Sequence, residues 1–425
     1  MGDFKLKAIK LADGNCKVAY DYEVSSNLKK YFDLENRLYV KYEKSVEQVP
    51  ESIIVIPLLA NIMPIAWFAG FDVYVDAIDE TFFNALSMLK KEFMKHHDID
   101  ESKSTLYCNH KVNNQIDGTE SILLFSGGLD SFESLTRNYD DAPYLASIHG
   151  ADVEINDTVR WEQFMNFNSA EPIVVNDRLQ YIQSNLRDFY TYKVDLLVNV
   201  GWWGKVQHGM ALLSVLAPLS YMLGANKMLI ASSNTNEVDF GWGSTPEIDE
   251  KMVWSNVKTI HDGYHLRRTD KIQNVVDFSN KNDQSIFLRV CYSELRDGAN
   301  CNKCAKCQRT MFGIILANDD PARYGFTVPD NLYEMIFRNF SKNAVMTKGI
   351  EYEWKCLQEK AANSDSFFVI SDKEKEKILI KDFVALELKE IVNKNSKKVE
   401  SSGKLKYIIR NRFKGLYELY RKIRY

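Results

Sequence analysis

The chain lacks a charge imbalance, a leader sequence and an even set of cysteines, and each absence narrows the functions open to it. Its 54 Lys and Arg residues nearly balance its 58 Asp and Glu residues, so the molecule as a whole does not have the charge of a nucleic-acid binder. Residues 1–10 carry mixed charge and no apolar stretch follows them, so we expect no secretory signal. The seven cysteines are odd in number and four are clustered. This pattern favours a metal site in a reducing cytoplasm over a disulfide framework.

Long uncharged runs are also scarce, and the run Ile53–Phe71 is long enough to cross a bilayer. Pro57, Asn61 and Pro64 interrupt it. Two prolines and a polar amide fit a strand, a turn and a short buried helix better than a membrane helix. We therefore predict that this run belongs to the protein core and that the chain has no membrane span.

Changes in pattern along the chain predict three regions. Residues 1–118 combine short β-branched or aromatic runs with a helical pattern over Asp79–His96, which indicates a mixed α+β domain. Residues 119–320 alternate apolar runs with helical stretches, which indicates an α/β domain with a parallel sheet covered on both faces. Residues 321–425 form a helical region with predicted helices at Asn331–Phe340, Glu351–Ala361 and Lys373–Val392.

The individual elements of the first two regions follow from the same patterns. The predicted strands are Phe4–Leu11, Lys17–Val24, Arg37–Tyr42, Phe71–Ala77, Tyr144–Ile148, Ile173–Val175, Leu196–Val200 and Met228–Ala231. The predicted helices between the later strands are Asp157–Phe167, Asp177–Thr191 and Gly209–Leu223.

A glycine pair divides an apolar strand from a helix near residue 127. Ile122–Phe125 is uniformly apolar, as expected for a strand that is buried on both faces. Gly127 and Gly128 allow a sharp turn and a close approach to a ligand, because neither has a Cβ. Asp130 and Ser131 stand at the helix start, where free amides and the helix dipole favour an anion. The stretch predicts a phosphate loop, and the alternative is a strand-to-helix turn without a ligand.

Loops after the other strands should face the same crevice, because ligands bind beyond the carboxyl ends of parallel strands. Lys205 and His208 stand at a predicted helix start, where they could contact a phosphate, although a solvated lysine is the commoner outcome. The loop 232–247 mixes glycine, aromatic and acidic residues, which suits a flat heterocycle but also an ordinary surface loop. The candidate substrate-binding residues are Lys205, Asn234, Glu237, Asp239 and Glu247.

Four cysteines recur at close spacing after residue 290. Cys301, Cys304 and Cys307 are three residues apart, and Cys291 lies upstream. Four thiolates suit tetrahedral Zn²⁺ and leave no position for a catalytic water, so we expect a structural zinc site. An iron–sulfur cluster and free or redox-active thiols remain alternatives.

The phosphate loop followed by this cysteine pattern resembles a known family. Ser126-Gly127-Gly128-Leu129-Asp130-Ser131 resembles the PP-loop of ATP pyrophosphatases, and with the four cysteines it resembles the 7-cyano-7-deazaguanine synthases of queuosine biosynthesis. The resemblance covers roughly 121–317. It implies a Rossmann-like sheet of the adenine nucleotide alpha hydrolase type. The regions before and after it make the chain look like the extended relatives found in bacterial antiphage gene clusters.

The resemblance also implies an activity and a set of ligands. We expect an ATP-dependent ligase that converts a deazaguanine-like carboxylate into an adenylate, releases pyrophosphate and lets ammonia or an amine attack. Ser126 to Ser131 and His149 would bind ATP, Asp130 and Ser131 would be catalytic, Mg²⁺ would bridge the phosphates, and Zn²⁺ would brace the substrate side. The alternatives are a tRNA-modifying enzyme and a non-catalytic nucleotide-binding partner protein.

The last stretch of the chain is the remaining predicted interaction surface. Apolar residues recur at helical spacing from Leu405 to Ile423, and Lys and Arg residues surround them. This predicts a basic amphipathic helix that either contacts a protein or nucleic-acid partner or docks on its own domain. A homodimer is a candidate assembly.

Overall fold

A ten-stranded sheet organises the computed structural model, which describes residues 2–238, 241–291, 298–340, 348–388 and Tyr407. Across the sheet the strand order is β10-β9-β6-β7-β8-β3-β2-β1-β4-β5. The strands are β1 (Gly2–Ala12), β2 (Lys17–Val24), β3 (Tyr39–Lys41), β4 (Phe71–Asp79), β5 (Leu106–Val112), β6 (Glu120–Leu124), β7 (Tyr144–His149), β8 (Leu179–Ser184), β9 (Ala225–Ala231) and β10 (Lys258–Asp262). The prediction of an α/β fold with a mostly parallel sheet is confirmed.

Helices cover both faces of this sheet. They are α1 (Glu51–Ile54), α2 (Ile56–Ala69), α3 (Glu80–His96), α4 (Leu129–Arg137), α5 (Thr158–Ala170), α6 (Tyr192–Asp195), α7 (His208–Ser214), α8 (Leu216–Leu223), α9 (Pro246–Asp249), α10 (Arg268–Asn282), α11 (Ala305–Leu316), α12 (Leu332–Arg338), α13 (Lys348–Ala362) and α14 (Lys373–Val384). A π-helical turn at Trp203–Gln207 leads into α7. The predicted C-terminal basic helix lies outside the described residues apart from Tyr407.

The five strands β6 to β10 form a doubly wound parallel half-sheet. From β6 the chain first builds outward through β7 and β8, then crosses to the other side of β6 and adds β9 and β10. In such a sheet the crevice for a ligand opens where the direction of winding reverses, at the carboxyl ends of the two central strands. The loop after β6 therefore opens into the crevice between β6 and β9.

The second half of strand β6, Ile122–Leu124, is apolar because it is covered on both sides. Ile122 packs in one hydrophobic cluster and Leu123 in the other. Successive side chains of a strand point to opposite faces, so a strand between two helical layers needs apolar residues at every position. This burial holds the end of β6, and the loop that follows it, in a fixed place.

Residues 2–112 supply the other five strands of the same sheet. Strand β1 pairs antiparallel with β2 and parallel with β4. Strand β3 pairs antiparallel with both β2 and β8, and its Val40 lies opposite Ser184. One hydrophobic cluster contains Phe4 and Tyr20 from this part of the chain as well as Met210 from α7. Residues 2–112 and strands β6 to β10 therefore share a sheet and a core.

The uncharged run Ile53–Phe71 lies in the core, as predicted, but its local structure differs from the prediction. It forms α2 instead of a strand, a turn and a short helix. Pro57 falls in the first turn, where a helix tolerates proline. Asn61 Nδ2 donates to Pro57 O at 2.8 Å, and Gln207 Nε2 donates to Asn61 Oδ1 at 2.7 Å. Burial and these bonds stabilise a helix that contains Pro64.

A second apolar segment, Trp203–Leu223, is the one candidate for a membrane span among the described residues, by length and composition alone. Its apolar window is 72% buried inside the protein. This is the environment of a core helix that packs against a sheet, so the segment is weak evidence for a span.

Three predictions in the middle of the chain are wrong. Ile173–Val175 is a turn, and Leu196–Val198 is a short 3₁₀ helix instead of part of a strand. The helix predicted over Asp177–Thr191 contains β8 instead, in which alternate residues are buried. Strand β8 pairs with β7 and with β3, which is about 140 residues away in the chain. Such long-range pairing overrides local helical preference.

Candidate functional site

The loop between β6 and α4 makes a tight turn through Ser126–Gly128. Phe125 N donates to Ala146 O at 2.8 Å, so pairing with β7 continues to the residue before the loop. Gly127 has a φ of 67°, in the left-handed region. A Cβ there would lie 3.1 Å from the Phe167 ring and 3.2 Å from Asn168 Oδ1. Both the backbone conformation and the close packing therefore favour glycine at this position.

Two hydroxyl groups converge above the start of α4. Ser126 Oγ and Ser131 Oγ are 3.3 Å apart, and Ser131 Oγ donates to Gly128 O at 3.1 Å. Gly128 precedes α4 and has no side chain with which to cap its first amides. Those amides and the helix dipole attract an anion. The loop thus offers backbone and hydroxyl donors to a phosphate.

Asp130 lies in the first turn of α4 among cationic side chains. Lys271 Nζ is 3.3 Å from Asp130 Oδ1, and an Arg268 guanidinium nitrogen is 3.9 Å from Oδ2. The Lys271 side chain is 2% exposed and also donates to Ser232 O. Burial would raise the pKa of Asp130, but Lys271, Arg268 and Lys306 together hold that pKa below its ordinary value. Asp130 is therefore a carboxylate at neutral pH.

The four predicted cysteines meet in one cluster. All four Sγ atoms lie within 4.8 Å of one another. The Sγ distances are 3.8 Å for Cys291–Cys304, 3.9 Å for Cys301–Cys307 and 3.5 Å for Cys304–Cys307. Tetrahedral zinc with Zn–S bonds of about 2.3 Å requires Sγ atoms about 3.8 Å apart. The cluster could hold a tetrahedral metal ion such as zinc.

Arg289 connects the cysteine cluster to the phosphate loop. It lies two residues before Cys291, and its backbone N–H donates to Gly127 O at 2.7 Å. One guanidinium nitrogen donates to Ser126 O at 3.3 Å, and the guanidinium lies 4.9 Å from the centre of the Phe164 ring. A metal ion bound by Cys291 would therefore fix a cation against the loop.

Lys306 makes a second connection. It lies between Cys304 and Cys307 at the start of α11, and its side chain lines the same cavity as Asp130. Burial and the neighbouring Arg268 guanidinium lower the pKa of Lys306. A buried ammonium group in such a cationic environment gains strongly from an added anion.

The Ser126–Ser131 loop closes one end of a cavity of about 510 Å³, the loop cavity. This volume lies in the range of small-molecule sites. Its polar lining includes Ser126, Asp130, Ser131, Arg289 and Lys306. Its aromatic lining includes Trp161, Phe164, Trp203 and Trp242. The cavity therefore combines an anion-binding end with flat apolar walls that suit a heterocycle.

A larger cavity of about 1,210 Å³ adjoins the first and shares Arg187, Trp203 and Trp242 with its wall. Tyr407, the one described residue of the predicted basic helix, also lines this larger cavity. Its hydroxyl donates to the Asp195 carboxylate. Tyr407 thus lies in the neighbourhood of the site.

The residues predicted for the phosphate loop lie together, whereas His149 lies elsewhere. Leu129 is buried in the core and anchors the start of α4. The His149 ring stacks on Trp161 at 4.7 Å, and its Nε2 is 3.1 Å from Glu154 O. It borders a separate cavity next to Tyr181. Burial lowers the pKa of His149, so the ring is neutral and acts as a packing residue.

The predicted substrate-binding residues do not line the loop cavity where the structure describes them. Lys205 lines the larger cavity, where its Nζ donates to Val198 O at 3.2 Å. Asn234 makes backbone bonds with the Ser232 hydroxyl after β9. The neighbouring Ser233, and not Asn234, lines the loop cavity.

The acidic members of that predicted set are exposed or undescribed. Glu237 forms a two-point ion pair with Arg267, with N–O distances of 2.6 and 2.8 Å. Glu247 is exposed on α9. Asp239 lies outside the described residues.

Four cationic residues of the site were missed by sequence reasoning: Arg268, Lys271, Arg289 and Lys306. Arg268 and Lys271 are three residues apart, a spacing that places them on one face of α10. That spacing, in a helix after the last strand of the sheet, is the signal that could have indicated them.

Comparisons of the chain with protein-family models, with curated proteins and with solved structures gave no match. The residues of the site are therefore the basis for a functional conclusion.

Proposed function

We propose that this chain is an ATP-dependent, adenylate-forming enzyme that activates a carboxylate with release of pyrophosphate. One observation carries the proposal: the Ser126–Ser131 loop and buried cationic side chains converge at one end of a cavity. A glycine-rich loop at a helix start binds one phosphate group. The buried cationic side chains add positive charge beside the loop. This suits a departing pyrophosphate, which carries more negative charge than one phosphate group.

The charge balance around the loop supports a polyphosphate ligand. Four cationic side chains surround it, and the carboxylates of Asp130 and Glu353 offset part of that charge. Buried charges are costly unless they are paired. A triphosphate would supply the remaining negative charge.

The proposed chemistry uses positioning and charge neutralisation. A carboxylate oxygen attacks the α-phosphate of ATP, and pyrophosphate leaves toward the loop amides and cations. The Ser126 and Ser131 hydroxyls donate to its oxygens. Mg²⁺ is usually held by one or two carboxylates together with phosphate oxygens, and Asp130 and Asp152 are carboxylates that line this cavity.

The aromatic part of the cavity would hold the carboxylate substrate. Trp161, Phe164, Trp203 and Trp242 offer flat apolar surfaces for a bicyclic heterocycle. A deazaguanine-like carboxylate fits this chemistry and the resemblance to 7-cyano-7-deazaguanine synthases. Ammonia or an amine would then displace AMP. Antiphage defence is a candidate biological role for this reaction.

The cysteine cluster would serve this reaction as a scaffold. Zinc bound by all four thiolates has no open position for catalysis. A tRNA-thiolating enzyme would instead need a cysteine available for sulfur transfer. The convergence of all four Sγ atoms disfavours that alternative.

The proposal is tested by incubating the purified chain with ATP and Mg²⁺, with and without 7-carboxy-7-deazaguanine and ammonium. We expect pyrophosphate and AMP to form only when the carboxylate is present. Asp130→Ala should abolish this activity. Asp140→Ala, an exposed aspartate beyond the far end of α4, is the matched control and should behave like the unaltered chain.

Formation of ADP and phosphate, or the same pyrophosphate release without any carboxylate, would contradict adenylation. Mass spectrometry of the product separates a nitrile or amide from a conjugate with a larger amine.

A further inference from the structure

His208 is a titratable side chain in the loop cavity that has no role in phosphate binding as described above. It is the first residue of α7, directly after the π-helical turn Trp203–Gln207. The ring contacts those of Trp203 and Trp242, and its centre is 5.3 Å from the centre of each. Its Nδ1 is buried and has no hydrogen-bond partner among the described residues. A buried polar atom without a partner, in the wall of a cavity, points to a ligand.

The groups that face His208 come from several elements. Asp152 and Arg187 line the same cavity. Asp249 lies in α9 and His261 in β10, where Asp249 Oδ2 is 2.7 Å from His261 Nδ1. Burial lowers the pKa of His208; Asp152 and Asp249 oppose this effect, and Arg187 and His261 add to it. His208 is therefore a neutral imidazole at physiological pH and can accept a proton.

The proposed reaction needs such a base in its second half. An amine nitrogen that has attacked an acyl adenylate carries an extra proton, which must leave before the product is stable. The loop end of the cavity offers hydroxyls, cations and the Asp130 carboxylate, and Asp130 already pairs with Lys271 and Arg268. His208 is the histidine among the described residues of the cavity wall, and its neutral ring can serve as a base.

We propose that His208 is the general base that accepts the proton from the attacking amine, so that it acts in acyl transfer and not in adenylation. This inference rests on the proposed function. It assigns the two halves of the reaction to different parts of the cavity.

The step balances as follows. The lone pair of a neutral amine forms a bond to the carbonyl carbon of the adenylate. The bond from that carbon to the phosphate oxygen breaks, and AMP leaves with the electron pair. The proton lost by nitrogen moves to the His208 ring and then to water, so the overall products are amide, AMP and one proton.

The experiment measures the two halves of the proposed reaction, adenylation and acyl transfer, in the same protein. Exchange of labelled pyrophosphate into ATP in the presence of the carboxylate reports adenylation. Amide formation reports acyl transfer. The reaction is run at pH values from about 5 to 8, and the amide is measured by mass spectrometry. Rates are expressed per concentration of neutral amine, which removes the ionisation of the amine itself from the profile.

For His208→Gln we expect transfer to fall by roughly 100-fold, while carboxylate-dependent exchange stays close to that of the unaltered chain. The unaltered chain should lose transfer activity as the pH falls through the pKa of His208, and this limb should vanish in the variant. His110→Gln, an exposed histidine on edge strand β5, is the matched control and should change neither half.

The proposal is overturned if exchange and transfer fall together in a folded variant, or if the acid limb persists without His208. If His208→Gln does not fold, the unaltered chain still decides, since transfer that is independent of pH per neutral amine excludes this base. Absence of exchange in the unaltered chain would instead overturn the adenylation proposal, and the role of His208 with it.

Discussion

Lys271 connects the phosphate loop to the neighbouring strand. Its ammonium group contacts the Asp130 carboxylate at 3.3 Å and also donates to Ser232 O, just after β9. A lysine that is 2% exposed is stable in its charged form only when anions or carbonyl groups surround it. Lys271 therefore fixes the position of Asp130 and places a positive charge beside the loop.

Replacing this lysine by an isosteric apolar residue should weaken ATP binding. For Lys271→Met we expect the Kd of a non-hydrolysable ATP analogue to rise about 10-fold or more, because a charge-assisted interaction is lost. Titration calorimetry measures the change. Lys227→Met is the matched control. It removes a lysine of β9 that pairs with Asp141 and does not line the cavity. An equal loss in Lys227→Met would contradict the role of Lys271.

Glu171 makes stability depend on pH. Its carboxylate is 3% exposed and accepts from Phe287 N at 3.2 Å. Burial raises the pKa of Glu171 from 4.5 to about 7, although the Phe287 amide opposes this. The folded protein thus binds this proton more tightly than the unfolded chain. Ionisation opposes folding, and the contribution of Glu171 to stability falls as pH rises from 4.5 to about 7.

Glu171→Gln should remove this dependence. We compare the unfolding free energy of the variant with that of the unaltered chain at each pH. Between about pH 4.5 and pH 8, this difference should change in favour of the variant by up to roughly 3 kcal/mol. Urea unfolding at both pH values gives the difference. Glu162→Gln, an exposed glutamate in helix α5, which ends just before Glu171, should show no such gain. A constant difference across pH for Glu171→Gln would show that Glu171 has an ordinary pKa.

Helix α11 begins at the cysteine cluster and carries a side chain that lines the loop cavity. Cys304 precedes its first turn, Cys307 lies within that turn, and Lys306 stands between them in the cavity wall. On the other side of the cluster, the segment before Cys291 places Arg289 on the loop. A metal ion that joins the two segments would hold both cations at once.

Loss of the metal should therefore weaken the proposed ATP binding, although none of the four cysteines lines the loop cavity. For Cys304→Ser we expect zinc content to fall well below about one ion per chain, with a rise of about 10-fold or more in the Kd of the ATP analogue. Mass spectrometry of metals and calorimetry measure the two effects. Cys108→Ser, in β5 and away from the cluster, should keep both values. Full ATP affinity in metal-free protein would contradict the scaffold role.

Local patterns predicted some elements well and others poorly. Strands β1 and β2 and helix α3 followed from alternation and helical spacing within each segment. Strand β8 did not, since its neighbours β7 and β3 are far away in the sequence and decide its pairing. Helix α2 contains Pro64, which local rules place outside a helix, but burial stabilises it there.

The same distinction applies to the site. The predicted phosphate loop and the cysteine cluster are short motifs that the local sequence is enough to indicate. Lys271 lies 141 residues after its partner Asp130 and belongs to no motif. Only the order of the strands brings the two side chains together, so this contact could not be predicted from local sequence.

Across the whole molecule, the two halves of the sheet meet at β3 and β8. Asn185 follows β8 and is 1% exposed. Its Oδ1 accepts from Tyr39 N at 2.9 Å, and its Nδ2 donates to the carbonyl groups of Asn36 and Arg37. This side chain joins the N-terminal strands to the half of the sheet that contains β6 to β10.

Asn185→Ala should destabilise both halves together. We expect a loss of about 2 kcal/mol or more in unfolding free energy, because buried backbone groups lose their partners. A single unfolding transition should remain when near-ultraviolet dichroism and tryptophan fluorescence are followed during urea unfolding. Asn226→Ala removes a single exposed bond to Gly118 O and should cost much less. Two separate transitions would show that the halves are independent.

The most direct test of the central claim follows one oxygen atom through the reaction. The carboxylate substrate, labelled with ¹⁸O on its carboxyl group, is incubated with the chain, ATP, Mg²⁺ and ammonium, and the nucleotide products are weighed by mass spectrometry. If the carboxylate attacks the α-phosphate, the AMP that forms carries one ¹⁸O atom and the pyrophosphate carries none. Unlabelled AMP, or ADP with labelled phosphate, would contradict formation of an adenylate at this site.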